Sequence, residues 1–284
     1  MRKAAATGTA IRQGICCSRE YQMAAREPAL HRTASTVRYA RIEVLIVALG
    51  FCGSGAAAEA PANLARLVAQ KESAAIEARG NFTYRQTVII EEFGKTNAKV
   101  GEYREVRDVI FSPGGERSEP FVQQPVNRLV RLQLTEEDFR DIREVQPFLF
   151  TKDLLWLYET RSRGEEVRDG VPCWVLSVKP RQTFEGQRLF EGDLWVDQSD
   201  YTIVQSTGRA VPNIYKFKNE NLFPSFTTFR ARVDGGFRFP IHTHADDVLP
   251  FSSGPLRLRM TIRYSGYKKF GVESSVTFEG AEKK

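Results

Sequence analysis

Apolar and polar positions change period twice along the chain. In "PANLARLVAQKESAAIEARGN", Leu64, Leu67, Val68, Ala75 and Ile76 recur at about helical spacing, between Pro61 and Gly80-Asn81. This predicts one amphipathic helix. After Gly80 the period drops to two. Phe82, Tyr84, Val88 and Ile90 fall on one side of "FTYRQTVII", with Gln86 the exception; Thr83, Arg85 and Thr87 fall on the other. Strand patterns then run almost to the end. "VGEYREVRDVIF" leads into the turn "SPGGE". "LTEEDFRDIREVQPFLF" predicts a short helix, opened by a Thr135/Asp138 capping box and stopped by Pro147. Three hairpins follow, turning at Asp169-Gly170, at Asp197–Asp200 and at Asp234-Gly235-Gly236. In the last strand, "PLRLRMTIRYSGYKKF", Leu258, Met260, Ile262 and Tyr264 share one face and Arg257, Arg259 and Arg263 the other.

The pattern is mainly β (α+β): about nine to eleven antiparallel strands, one long N-terminal helix and one short internal helix. So few helices cannot cover both faces of such a sheet. It must curl around a helix or close on itself to bury its apolar face.

Charge adds little to this picture and points away from nucleic acid. Of the 41 Lys+Arg and 35 Asp+Glu, residues 1–58 hold eight and three, so residues 59–284 are almost balanced. A nucleic-acid partner needs a concentrated basic surface. The basic N-terminal segment reads as a secretory signal: Arg38 and Arg41, the apolar run Val44–Phe51, then Ala56-Ala57-Ala58. That run is shorter than the ~20 residues that span a bilayer. Residues 1–58 are therefore expected to be an N-terminal extension and signal peptide, cleaved near Ala58/Glu59. Residues 59–284 are expected to be a single exported domain. Met23 is an alternative start. Lipidation at Cys52 is disfavoured by Phe51, where such signals carry a small residue. Cys16, Cys17 and Cys52 leave with the leader. Cys173, in "VPCWVLSV", stays as a lone, buried strand residue.

Candidate chemistry is sparse. In "FRFPIHTHADD", His242, His244 and Asp246 would share one strand face, the minimum for a metal or a metal-dependent hydrolase. No H-E-x-x-H or paired cysteine supports it, so half-exposed strand histidines are the simpler reading and neither metal nor cofactor is expected. A Ser-His-Asp triad has only the same two histidines to draw on. Glu91-Glu92, Glu165-Glu166 and Asp246-Asp247 are sequence neighbours that a strand points to opposite faces, which suits solvated rim charge better than acid/base work. Strand aromatics are more telling. Phe82, Tyr84, Trp156, Trp174, Trp195 and Phe229, with Met260 and Ile262, could line a hydrophobic concavity that binds a ligand. The same residues could equally form an ordinary packed core.

A resemblance narrows the choice. The helix followed by "GNFTYRQTVIIEE", then "RLFEGDLWVDQSDYTIVQSTGRAVP", "NENLFPSFTTFRARVDGGFRFPIHTHADD" and "SSGPLRLRMTIRYSGYKKFG", resembles the outer-membrane lipoprotein-sorting family of Gram-negative bacteria. The branch is of acidobacterial type, within a superfamily that includes LolA, LolB and RseB. The similarity covers about Pro61 to Phe278. It rests most on "LWVDQSDYTIVQSTG" and on the Phe229–Pro240 hairpin. It implies an unclosed antiparallel β-barrel curled over the helices, a LolA-like half-barrel. It also implies a non-enzymatic periplasmic carrier of acylated lipoprotein or lipid, or an RseB-like sensor with envelope protein partners. A monomer is expected. The two histidines then occupy variable slots of a structural hairpin.

Overall fold

A computed structural model of the chain describes residues 59–111, 116–145, 150–184, 187–216, 219–233 and 236–269. Residues 1–58, where the expected signal peptide falls, lie outside them. Among the described residues, helix α1 (Leu64–Arg79) leads into strands β1 (Phe82–Phe93) and β2 (Lys99–Phe111). Two short edge pieces, β3 (Arg117–Ser118) and β4 (Val126–Asn127), precede helix α2 (Glu136–Glu144). A 3-10 turn at Leu155–Leu157 opens β5 (Tyr158–Arg168), followed by β6 (Val171–Pro180), β7 (Leu189–Asp197) and β8 (Ile203–Val211). Then come a small pair, β9 (Ile214–Lys216) and β10 (Asn219–Asn221), and three strands, β11 (Phe226–Arg232), β12 (Arg238–Leu249) and β13 (Leu256–Lys269).

Local chemistry explains the breaks. Thr135 and Asp138 form the expected capping box at α2. Asp169 (φ 49°) and Gly170 (φ 77°) both take the left-handed conformation that a two-residue hairpin turn needs. Gly192 and Gly208 face each other across β7 and β8. A Cβ on Gly192 would stand 2.2 Å from the Thr207 carbonyl oxygen and 2.8 Å from the Phe190 ring, so only glycine lets that ring lie flat on the sheet.

The main sheet is antiparallel throughout and does not close, in the order β3-β2-β1-β13-β12-β11-β8-β7-β6-β5, with β4 also on β2. Its first and last long strands, β1 and β13, pair in the middle. Strand β5 is one free edge. It is exposed from Glu159 to Val167, carries alternating charges and is interrupted at Gly164 (φ 101°), features that discourage edge-to-edge pairing. Ten strands at about 4.8 Å spacing far exceed the ~24 Å length of α1. Yet one continuous apolar cluster joins Tyr103 on β2, Met260 on β13 and Trp174 on β6 to Val68 of α1. The sheet therefore curls, and α1 and α2 lie against its inner face.

Candidate functional site

Register assigns every strand residue to a face. On the inner face three rows cross the strands. The first holds Ile90, Met260 and Ala245. The second runs Val88, Ile262, Thr243, Thr228, Ser206, Leu194 and Leu176. The third includes Gln86 and Tyr264, with Arg230 nearby on β11. The outer face is built differently. Asp246 bonds Arg257 and Arg259, Glu91 pairs with Lys99, and the guanidinium groups of Arg257 and Arg259 lie over the Phe93 ring. The arginines hold the Asp246 carboxyl below its usual range, chiefly through the Arg257 hydrogen bond.

The predicted lining divides accordingly. Tyr84, Trp174, Met260 and Ile262 stand in the inner cluster. Phe82 is also buried, at the end of α1, where it packs edge-on against Phe239 at 5.2 Å and touches Ala75. Three residues do not belong to the inner face. Trp156 sits in the 3-10 turn before β5 rather than in a strand and is 65% exposed. Trp195 pairs with Val175 and packs with Cys173 and Val204 in an outer cluster, under the Arg168 guanidinium, with Nε1 donating to Glu166 at 3.0 Å. Phe229 is half-buried outside, stacked on His242. His242 and His244 continue that outer stack at 6.2 Å, and burial lowers the His242 pKa. Their expected partner Asp246 is engaged by the two arginines instead. No group of three or more His, Cys, Asp or Glu among the described residues is arranged to hold a metal. Cys173 is fully buried, and desolvation pushes its thiol up to about 11. It is a weak nucleophile at neutral pH.

The carboxylate pairs need one correction. Glu92 is not rim charge. It is fully buried on the inner side and accepts hydrogen bonds from the backbone N–H groups of Val130, Arg131 (2.9 Å) and Leu132. Gly101, opposite Glu92, makes room: a Cβ there would meet the Glu92 carboxylate at 2.5 Å and the Arg128 carbonyl at 2.9 Å. Residues 128–134 are thereby strapped across one end of the sheet. Arg131 fixes the far end, donating to the carbonyls of Gly254 (2.8 Å) and Pro255 (3.0 Å).

Beside the strap, α2 is tied down by buried polar groups. Arg188 bonds Asp141 and donates to the Asn221 carbonyl (2.6 Å) and side chain (2.7 Å). Asn221 in turn donates to Thr135 at 2.8 Å. Burial raises the carboxyls of Asp138 and Asp141, the latter to about 6 against the pull of Arg188. Helix α1 has its own tie. Glu72 and Arg230 meet at 2.7 Å with both side chains almost wholly buried.

Where strap, α2 and sheet converge there is a crevice of about 340 Å³ counted to its open mouth, of which only a narrow part is enclosed. Ile90, Leu258 and Met260 form its floor. Leu132, Leu134 and Ile142 form its roof, Leu222 and Phe223 close one side, and Asp138 is its one charged neighbour. Of the sequence-predicted lining only Met260 reaches it. Sequence reading missed the roof because isolated leucines in an irregular stretch have no period. Phe223 precedes Pro224 in such a stretch.

The two structural motifs of the resemblance meet on the outer side. Asp197 and Asp200, from the β7–β8 turn, bond Arg238 (2.8 Å) and Arg232 (2.7 Å) of the β11–β12 hairpin. They staple two hairpins.

The described residues thus form an open antiparallel half-barrel roofed by helices. No family model matches the chain, and no curated protein matches it. Among solved structures it is similar to a DUF1329 family protein from Desulfovibrio piger (13% identity, 72% of this chain and 91% of that one, TM-score 0.35). It is also similar to a LolA superfamily protein from Nitrosomonas europaea (15%, 73% and 94%, TM-score 0.33). A third is a putative outer membrane lipoprotein-sorting protein domain from Vibrio parahaemolyticus (10%, 71% and 90%, TM-score 0.34). Likeness at such identities concerns the fold alone, and function has to be read from this chain's own residues.

Proposed function

We propose that the protein is an exported, non-enzymatic binding protein of the periplasm that holds the acyl chains of a lipid or lipoprotein against the inner face of its half-barrel, as a carrier in outer-membrane lipoprotein sorting. One observation carries the reading. The apolar floor is roofed by two helices and a strap, not by a second sheet, and a few discrete polar ties hold that roof. Lifting it would expose a largely apolar surface, and each methylene buried there contributes about 0.8 kcal/mol. The buried polar groups nearest the crevice (Asp138, Asp141, Arg188 and Asn221) bond one another. That favours a structural role for them over a catalytic one. The sequence resemblance supports the same reading.

Mass spectrometry of organic extracts from protein purified without detergent tests this. Acylated lipid or lipopeptide in stoichiometric amount is expected; protein that carries none and takes up none when incubated with envelope lipid would contradict it.

A second reading, an envelope sensor of the RseB kind, has its own observation. Phe121, Val122, Val126 and Val130 stand exposed along the β2 edge, and apolar side chains grouped there would suit a protein partner. Phe121→Ser with Val126→Ser separates the two: loss of an envelope-protein complex with acyl binding intact favours the sensor.

A further inference from the structure

Between Ile262 and Leu194 the floor carries a rung of hydroxyl groups. Ser206, Thr228 and Thr243 lie directly opposite one another on β8, β11 and β12, each 0% exposed. Thr228 and Thr243 share a hydrogen bond of 2.8 Å. The Ser206 Oγ is buried without a partner. Along the row the rung is flanked by Leu194 on β7 and Ile262 on β13, and the buried Tyr264 side chain lies beside Thr243 from the next row. Alanine at Ser206 would leave no buried hydroxyl without a partner there.

Position along the strands suggests what the rung is for. Two residues towards the crevice lie Ala245 and Met260, paired with each other, and Ile90 beyond them. Met260 and Ile90 are crevice floor. The step from that floor to the rung is about 7 Å, two residues of strand. Two residues the other way on β11 stands Arg230, already neutralised by Glu72. A chain laid on the floor from the crevice would therefore reach hydroxyl donors first and closed ion pairs next.

We propose that the Ser206–Thr228–Thr243 rung seats the carbonyl oxygen of an ester- or amide-linked acyl chain, with the Ser206 hydroxyl as donor. The ligand class is a neutral acyl ester or amide. A free fatty-acid carboxylate fits poorly: Arg230 and Arg188 are held by Glu72 and Asp141, and Asp138 puts a carboxylate at the crevice. A second anion buried there would stand without a counter-charge. The proposal rests on the acyl-binding reading above.

The test is competition. A fluorescent acyl probe bound to the purified mature chain is displaced by a 1-monoacylglycerol, by the ether-linked 1-alkylglycerol of equal length, and by the matching fatty acid at pH 8. The ester should bind about three- to tenfold more tightly than the ether, one net hydrogen bond's worth, and more tightly than the fatty-acid anion. Ser206→Ala should bring the ester to the ether's affinity, leave the ether unchanged, and raise the melting temperature by removing an unpaired buried hydroxyl. Thr243→Val, nearly isosteric, should also narrow the ester preference. Equal ester and ether binding in the wild type, tighter binding of the fatty acid, or an ester preference that survives Ser206→Ala would each overturn the inference alone. Failure of the probe and all three lipids to bind would sink the acyl reading with it.

Discussion

Thr243 and His242 are neighbours on β12, and so are Ile262 and Arg263 on β13, yet each pair spans two media. Thr243 and Ile262 are fully buried inside. His242 and Arg263 sit directly opposite each other outside. On the outer face charge is cheap and paired at leisure: Arg257, Arg259, Asp246, Glu91 and Lys99 form a network open to water. On the inner face charge is rarer: Glu105 is bonded by Tyr103 and Arg107 along β2, and the others tie the roof to the floor. Glu72, Glu92 and Arg188 each connect one covering element to the sheet or the segment beside it. The same residue type therefore means solvation on one side and a structural tie on the other.

Substitutions across this divide should differ in size as well as direction. The largest contrast is on β13. Ile262→Glu places a charge in a dry core and should cost several kcal/mol, most of a domain's stability. Arg263→Glu next to it should stay within about 0.5 kcal/mol. Urea denaturation of both reads this, and a more damaging Arg263→Glu would reverse the assignment of faces.

Next come the ion pairs. Glu72→Ala removes the buried carboxylate that faces the Arg230 guanidinium and should cost about 3–5 kcal/mol. Glu91→Ala, whose partners are exposed, should cost about 0–1 kcal/mol. Equal losses would mean that α1 is not held as described.

A smaller effect is the pH response of the α2 tie. Burial raises the Asp141 carboxyl from 3.8 to about 6 in the folded protein. Between those values the native state binds the proton and the unfolded chain does not. This group therefore adds stability as pH falls from about 7 towards 4, and withdraws it as pH rises through about 6. Stability measured from pH 7 to 4.5 should rise in the wild type relative to Asp141→Asn. A constant difference between them would show that the carboxyl titrates in its ordinary range.

The smallest effect belongs to the histidines. His242→Ala with His244→Ala should change stability by about 1 kcal/mol or less and leave acyl binding alone. Stoichiometric zinc in the wild type, lost in the double variant, would restore the metal reading of that strand.

The strands, the α2 capping box and the Asp169-Gly170 turn were legible because each depends on local spacing or on one residue's backbone preference. Faces were legible only where alternation is clean. "LRLRMTIRY" alternates, and Met260 and Ile262 fall inside as read. "LWV" at Leu194–Val196 does not alternate, since all three are buried, and the parity of Trp195 is set by its pairing with Val175 across a neighbouring strand. No spacing rule carries that information. The ties were missed for a related reason. Glu72 and Glu92 are charges in amphipathic patterns, and a pattern alone reads charge as solvent-facing. What marks them as buried is a partner 158 residues away for Glu72, and for Glu92 a backbone segment 38 to 40 residues away.

The central claim is that the inner face, under a roof that can lift, takes an acyl chain. Its most direct test is equilibrium titration of residues 59–284 with a fluorescent fatty-acyl probe, with circular dichroism as the folding control. The prediction is saturable binding to the wild type that is lost in Met260→Glu, on the crevice floor. In Thr261→Glu, the next residue but on the outer face, binding should stay within a few fold. Probe uptake that never saturates, or that is unaffected by Met260→Glu in a folded protein, would contradict it.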